Sequence, residues 1–205
     1  MDLKEVIVAR RSIRMFKPDP ISEVVIIELL EAARLAPSGT NRQPSRFFVV
    51  KDAAARQKLQ EAAFGQRHVG EAPVVMVCCA DMRTYTADAT KHRLTQLLKE
   101  GDPEEEQKVS LPERIKDPDY SGDPKHFKPQ AMLNVAIAIE HLVLMATSLG
   151  LGTCWVQRFQ PKKVVETLNL PDHLVVVALV PLGYPARYPK PRPRLALEEI
   201  YLGSI

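Results

Sequence analysis

The 205-residue chain has little cysteine, and none of it is spaced for chemistry. Cys78, Cys79 and Cys154 form an odd set without a Cys-x-x-Cys pair. The first two lie in an apolar run, so the three read as reduced core thiols rather than a disulfide framework or a zinc ribbon. The chain also lacks Gly-x-x-x-x-Gly-Lys-Ser/Thr, His-Glu-x-x-His and Gly-x-Ser-x-Gly, the usual signatures of P-loop nucleotide hydrolysis, zinc proteolysis and serine hydrolysis. His68, His92, His126, His141 and His173 show no tight ligand spacing. Charge of one sign is scarce too. With 28 Lys and Arg against 25 Asp and Glu, the net charge of +3 is too small to indicate a nucleic-acid binder, so any basic function must be local. The N-terminal MDLKEVIVARRS has no long apolar run followed by a small-residue cleavage site, and the expected compartment is the cytosol.

What is present is ordinary globular composition, 45% hydrophobic and 26% charged, in a length that suits one domain over residues 1–205. Residues 2–9 are helix-like, and Ser22 is a plausible N-cap for an amphipathic run that Pro37 stops. A short strand is expected at 47–50, a helix capped by Asp52 to about Phe64, and a buried strand at 73–80. A polar helical pattern from Thr84 to about Gly101 leads into a stretch rich in charge and proline. The whole 84–128 region reads either as a lid or as a solvated excursion. Residues 129–149 are apolar almost all round and approach the length of a membrane span. Asn134, Glu140, His141, Thr147 and Ser148 argue instead for a core or dimer helix. Gly150 and Gly152 end it, Pro161 opens another helix to about Leu168, and 174–182 is a β-branched strand. From Tyr184, Pro185, Pro189, Pro191 and Pro193 predict an extended arm over 184–205 that cannot be a regular helix.

Three segments could carry chemistry. Arg10, Arg11 and Arg14 surround Ser12 near the start, and Lys190, Arg192 and Arg194 alternate with prolines near the end. Such clusters are commonly solvated surface. Here a hydroxyl at a probable helix end, a stiff backbone and guanidinium forks also suit a phosphate ester. The Pro-bounded Ala36-Pro37-Ser38-Gly39-Thr40-Asn41-Arg42-Gln43-Pro44 is either plain turn chemistry or a set of donors and acceptors for a flat heteroaromatic ring. Gly150-Leu151-Gly152-Thr153-Cys154-Trp155 begins like a dinucleotide fingerprint. It has Trp155 where the third glycine belongs and follows a helix rather than a strand, which argues against a Rossmann site.

Arg10-Arg11-Ser12-Ile13-Arg14-Met15-Phe16, the 36–44 loop, 150–155 and Leu182-Gly183-Tyr184-Pro185, in that order and spacing, resemble the FMN-dependent nitroreductase family. Each motif alone is weak. Four in order across nearly the whole chain are specific, and the similarity fails mainly over 84–128. The resemblance implies an α+β fold, a central antiparallel sheet wrapped by helices, in an intertwined homodimer. Two FMN molecules would lie between subunits, the 129–149 helix would be the main dimer helix, and the C-terminal arm would cross to the partner. It further implies that Arg10 and Ser12, with Arg11 beside them, meet the phosphate and ribityl chain. Arg14 would lie near the flavin N1/O2 edge, and Arg192 and Arg194, with Lys190 as a third member, would close on the phosphate. Pro37, Ser38, Gly39, Asn41 and Gln43 would come from the second subunit against the ring. Trp155, Gln157 and Arg158 would bring backbone near N5 and O4, and Gln66 would pair with the pyrimidine end.

The implied activity is ping-pong reduction of electron-poor acceptors, nitroaromatics or quinones, by NADPH or NADH through flavin N5. No catalytic side chain is required, although Arg158 or a lid residue near Tyr120 could orient an acceptor. No metal, membrane or nucleic acid is expected. Ser45 stands where many relatives carry an aromatic residue, and Gln157-Arg158 replaces a common Gly-Gly, so the pocket over the ring should differ. The alternatives are a same-fold relative performing reductive dehalogenation, enone reduction or flavin breakdown, a non-catalytic FMN-binding protein, and an arginine tail that contacts nucleic acid.

Overall fold

A computed structural model describes residues 1–100 and 124–204. Its four strands, β1 (Ser45–Val50), β2 (Val74–Asp81), β3 (Gly152–Thr153) and β4 (Leu174–Gly183), form one antiparallel sheet in the order β1-β2-β4-β3. All of β2 is buried, because helices cover both faces and every residue of the central strand meets a core. Alternation then divides the strand. Val74, Met76, Cys78 and Ala80 face one core, and Val75, Val77 and Cys79 face the other.

The first core is filled from α2 (Glu23–Arg34) by Ile26 and Leu29 and from α6 (Lys128–Ser148) by Val135, Ile139 and Leu142. The second receives Leu59 and Ala62 from α3 (Ala53–Ala62) and Val164 from α7 (Pro161–Leu168). On β4 the register slips where Cys78 pairs with Ala178 and Cys79 with Val176. Val177 is therefore a bulged extra residue, and it shifts the parity of β4 so that Val176 and Leu179 share the second core.

Most element ends follow from local chemistry. Asp2 and Glu5 cap α1 (Leu3–Ala9) reciprocally, Ser22 Oγ accepts from Val25 N–H, and Asp52 accepts from Ala55 N–H. Gly150, at φ 75°, closes α6. Its N–H reaches the Thr147 carbonyl while Leu151 N–H reaches that of Ala146, the paired bonds of a Schellman cap. All three thiols are buried and free. Burial pushes the Cys78 thiol well up and the Cys79 thiol up to about 12, so both stay protonated.

Several expectations need correction. Strand β1 starts two residues before the apolar run, and α4 (Arg67–Glu71) occupies the stretch left unassigned before β2. The arm is not extended throughout. It ends in one helical turn, α8 (Leu197–Ile200), where no proline follows Pro193 and Glu199 accepts from Ala196 N–H at 2.9 Å. Of the 84–128 region, residues Ala87–Glu100 form helix α5 and Pro124–Phe127 a 3-10 turn into α6. Thr84 and Tyr85 end a 3-10 turn that follows β2, and residues 101–123, with Tyr120, lie outside the described residues. The stretch Pro124–Ser148 is long and apolar enough to cross a membrane by length and composition. Asn134, Thr147 and Ser148 on it have protein partners, and Glu140 is exposed. Asn134 accepts from Gly39 N–H at 3.0 Å and donates to the Tyr85 hydroxyl at 2.7 Å, and the Thr147 hydroxyl donates to Val143.

Candidate functional site

The site begins with residues 10–17, a segment too irregular to be a strand but bonded like one. Ile13 N–H donates to Thr153 at 2.8 Å and Lys17 N–H to Tyr184 at 2.8 Å. Ala186 N–H returns to Met15 at 2.9 Å. Pinned between β3 and the first residues of the arm, this segment brings the two ends of the chain together. The result is a cleft of about 630 Å³ lined by Arg10, Arg11, Ser12 and Arg14 from one end and Lys190, Arg192 and Arg194 from the other, with Ile7 and Val8 of α1 as its apolar side. Among the described residues, six cations and no carboxylate line it. Low-dielectric walls focus such a field, and the guanidinium fork matches phosphate geometry. Arg11 serves partly to end α1, donating to the carbonyls of Val8 and Arg10.

Arg14 also acts inward. Its charge holds down the pKa of His68 on α4 and works with Arg10 against the effect of burial on the Cys154 thiol. His68 is only 8% exposed, and its Nε2 is buried without a hydrogen-bond partner. A buried ring nitrogen left unpaired costs about 1–3 kcal/mol, which marks the place as one that a ligand or water would complete. The sequence carried no signal for His68, a lone histidine in a segment that had not been read as helix.

The other expected residues fall into two further groups. The loop Pro37, Ser38, Gly39, Asn41 and Gln43 does not line the arginine cleft. It is a tight structure in which Thr40, Asn41 and Gln43 all take left-handed φ near 50°. Gln43 N–H donates to Ser38 Oγ at 2.9 Å, Gln43 Nε2 to Asn41 Oδ1 at 3.1 Å, and Asn134 ties the loop to α6. Three non-glycine residues held at positive φ store strain of the kind found at functional loops. The third group is the strip beside β3. Gln66 Nε2 donates to the Arg158 carbonyl at 2.9 Å, and the Arg158 guanidinium lies 5.2 Å from the Phe64 ring centre. Trp155 packs half-buried on the first core, and Gln157 lines an apolar cleft with Met132, Leu133 and Val177.

The pH response of His68 can be worked out. Burial first, then Arg14, lowers its pKa from 6.5, with Glu71 opposing. The unfolded chain therefore binds more protons than the native one below about pH 6.5, and stability falls with pH until the native value is passed. Urea unfolding between pH 7.5 and 5 should show this slope, and His68→Gln should flatten it; an equal slope in the variant would exclude His68 as the cause. Asp81 acts lower. Burial raises its pKa, but bonds from Arg83 and the charges of Arg46 and Arg83 outweigh that and bring it below 3.8. Its contribution is kept above that value and lost only as pH falls further.

An α+β sheet with helices on both faces and a basic cleft between its chain ends defines the class, and comparison with known proteins gives the family. Residues 7–184 match the model of the nitroreductase family. The chain is 39% identical over 205 residues to a protein of Thermus thermophilus named NADH dehydrogenase, covering 98% of this chain and 96% of that one. It is 27% identical to a Bacillus subtilis protein named an FMN reductase acting with NAD(P)H, across 93% of this chain and 68% of the relative. A protein of Exiguobacterium sibiricum solved in complex with FMN superposes with a TM-score of 0.81 at 26% identity, over 98% and 96% of the two chains. The chain belongs to the nitroreductase family and is an oxidoreductase.

Proposed function

We propose that the protein is a homodimeric NAD(P)H-dependent oxidoreductase that holds FMN at the arginine cleft and reduces electron-poor acceptors such as nitroaromatics or quinones. The observation that carries this reading is the meeting of Arg10, Ser12 and Arg14 with Arg192 and Arg194 in one cleft that, among the described residues, no carboxylate lines. The residues fit the cofactor. Charge-assisted donors suit its phosphate, and Ser12 offers a hydroxyl beside them. The unpartnered His68 Nε2 lies buried behind Arg14, outside the cleft lining.

Bound FMN supplies two-electron chemistry, accepting a hydride equivalent from the nicotinamide and delivering it to the acceptor. The chain's own task is to bind, orient and polarise. Arg192 and Arg194, with Lys190, clamp the phosphate, and Arg10, Arg11 and Ser12 hold the phosphate and ribityl chain. Arg14 would place a cation where negative charge gathers. Gln66, which donates to the Arg158 carbonyl, would steady the strip Trp155–Gln157–Arg158 that this reading sets near the ring.

A second copy completes the site in this reading. The 37–43 loop lies off the cleft of its own chain and is available to a partner's. Leu133 on α6 and Leu195, Leu197, Ile200 and Leu202 on the arm are 64–93% exposed, an apolar cover with no place in a lone chain.

Anaerobic titration of the FMN-loaded protein with NADPH or NADH should bleach the flavin band, and a nitroaromatic or quinone should restore it. Bound FMN that neither donor bleaches would overturn the oxidoreductase cycle, and failure to bind FMN would remove the cofactor assignment.

A further inference from the structure

A second basic cleft, of about 330 Å³, lies where the end of α2, the 36–47 segment, α5 and α6 meet, and the flavin reading gives it no role. Among the described residues, Arg34, Arg42, Arg46 and Arg93 line it, again without a carboxylate. Arg42 is its fixed element. It is 6% exposed, donates to the Thr84 carbonyl at 2.7 Å and to Thr90 Oγ1 at 2.8 Å, and lies 4.6 Å from the Tyr85 ring centre. A guanidinium already ordered this way loses little entropy on meeting a ligand.

The other three keep a net positive charge between them, although Glu31 balances Arg34. Arg93 donates to Gln96, a neutral acceptor, at 2.7 Å. Arg46 shares the single carboxylate of Asp81 with Arg83, so that trio keeps one positive charge. Arg34 pairs with Glu31 at 2.6 Å, but both side chains are about half exposed or more, and such a pair is worth only about 0–1 kcal/mol and exchanges readily. Pro37, Ser38 and Gln43 form one wall of this cleft, and they belong to the loop that the proposed function lays against a flavin ring.

We infer that this cleft is an anion subsite, taking a phosphate monoester or carboxylate on the molecule whose reactive end reaches the flavin. The inference rests on the proposed flavin site. Two sources share that chemistry: the 2′-phosphate of NADPH, and an acidic group on the acceptor. The positive lining would then decide donor preference in the first case and acceptor preference in the second.

The test is the double variant Arg34→Gln/Arg93→Gln, which keeps much of each stem and leaves buried Arg42 in place. If the donor is the source, KM for NADPH rises ~10-fold or more while KM for NADH and kcat hold. If the acceptor is the source, KM for 4-nitrobenzoate rises by a similar factor and that for nitrobenzene does not. Unchanged ratios in both pairs overturn the subsite. Should the chain prove to hold no FMN, the cleft is read directly by calorimetry with adenosine 2′,5′-bisphosphate and with benzoate, in an Arg192→Ala/Arg194→Ala background that removes the other basic cleft. Binding weakened ~10-fold by the Arg34/Arg93 changes supports the site independently of the flavin, and no binding of either probe overturns it.

Discussion

Replacing Arg192 and Arg194 together with alanine is expected to weaken FMN binding on the order of 100-fold or more while leaving the fold intact. Both side chains are exposed on the arm. Arg194 bonds only to carbonyls of its own neighbours, at 3.2 and 3.3 Å, so neither supports the core. Each charge-assisted bond to a phosphate is worth about 1.5–3 kcal/mol, and losing two sums to roughly 3 kcal/mol or more. The proline-bounded backbone keeps the remaining residues in place, so the loss should appear as charge rather than disorder. Fluorescence quenching of FMN by the wild type and the variant measures it, with riboflavin as the control. Riboflavin lacks the phosphate and should bind the two proteins alike. Equal losses for both ligands would place the arginines elsewhere than on the phosphate, and unchanged FMN affinity would move the phosphate out of this cleft.

What was legible in the sequence was whatever registers as a pattern along the chain. Strands β2 and β4 are apolar runs bounded by breakers, and α2, α3 and α7 begin at Ser22, Asp52 and Pro161, where caps belong. The α+β class came from the resemblance carried by the four motifs. Strand β1 was read too short because Ser45 and Arg46 pair with Ala80 and Cys79 through backbone on an edge, where side-chain polarity says nothing. Helix α4 spans five residues and β3 two, too few to show a period.

The arginine cleft was legible as two clusters some 180 residues apart, not as one place. Their meeting depends on Ile13, Lys17 and Ala186 finding backbone partners, and backbone partners leave no mark on residue type. The same limit hid the second cleft. Arg34, Arg42, Arg46 and Arg93 belong to four different elements or loops, and no motif joins them. His68 was hidden for another reason: a buried, unpartnered nitrogen is defined by what is missing around it.

Gly152→Ala should destabilise the fold and the flavin site together, because this glycine is where they touch. A Cβ there would lie 2.5 Å from Ile13 Cγ1, 2.8 Å from its Cβ and 2.9 Å from its Cγ2. Ile13 is 1% exposed, and its Cβ is fixed by a backbone that donates to Thr153, so no rotamer change relieves the contact. The 10–14 segment must move off β3, taking Ser12 and Arg14 with it. Overpacking of this kind costs about 1–3 kcal/mol, a Tm lower by about 2–12 °C in a chain of this size. FMN affinity should fall further than that instability explains. Leu142→Ala is the control, since it empties part of the first core, costs about 2–5 kcal/mol and touches neither cleft. Measured where both variants remain folded, only Gly152→Ala should lose flavin, and Ile13→Ala added to it should recover part of the affinity by making room for the new methyl. Equal flavin binding by the two single variants would show that the arginine segment holds its place without β3.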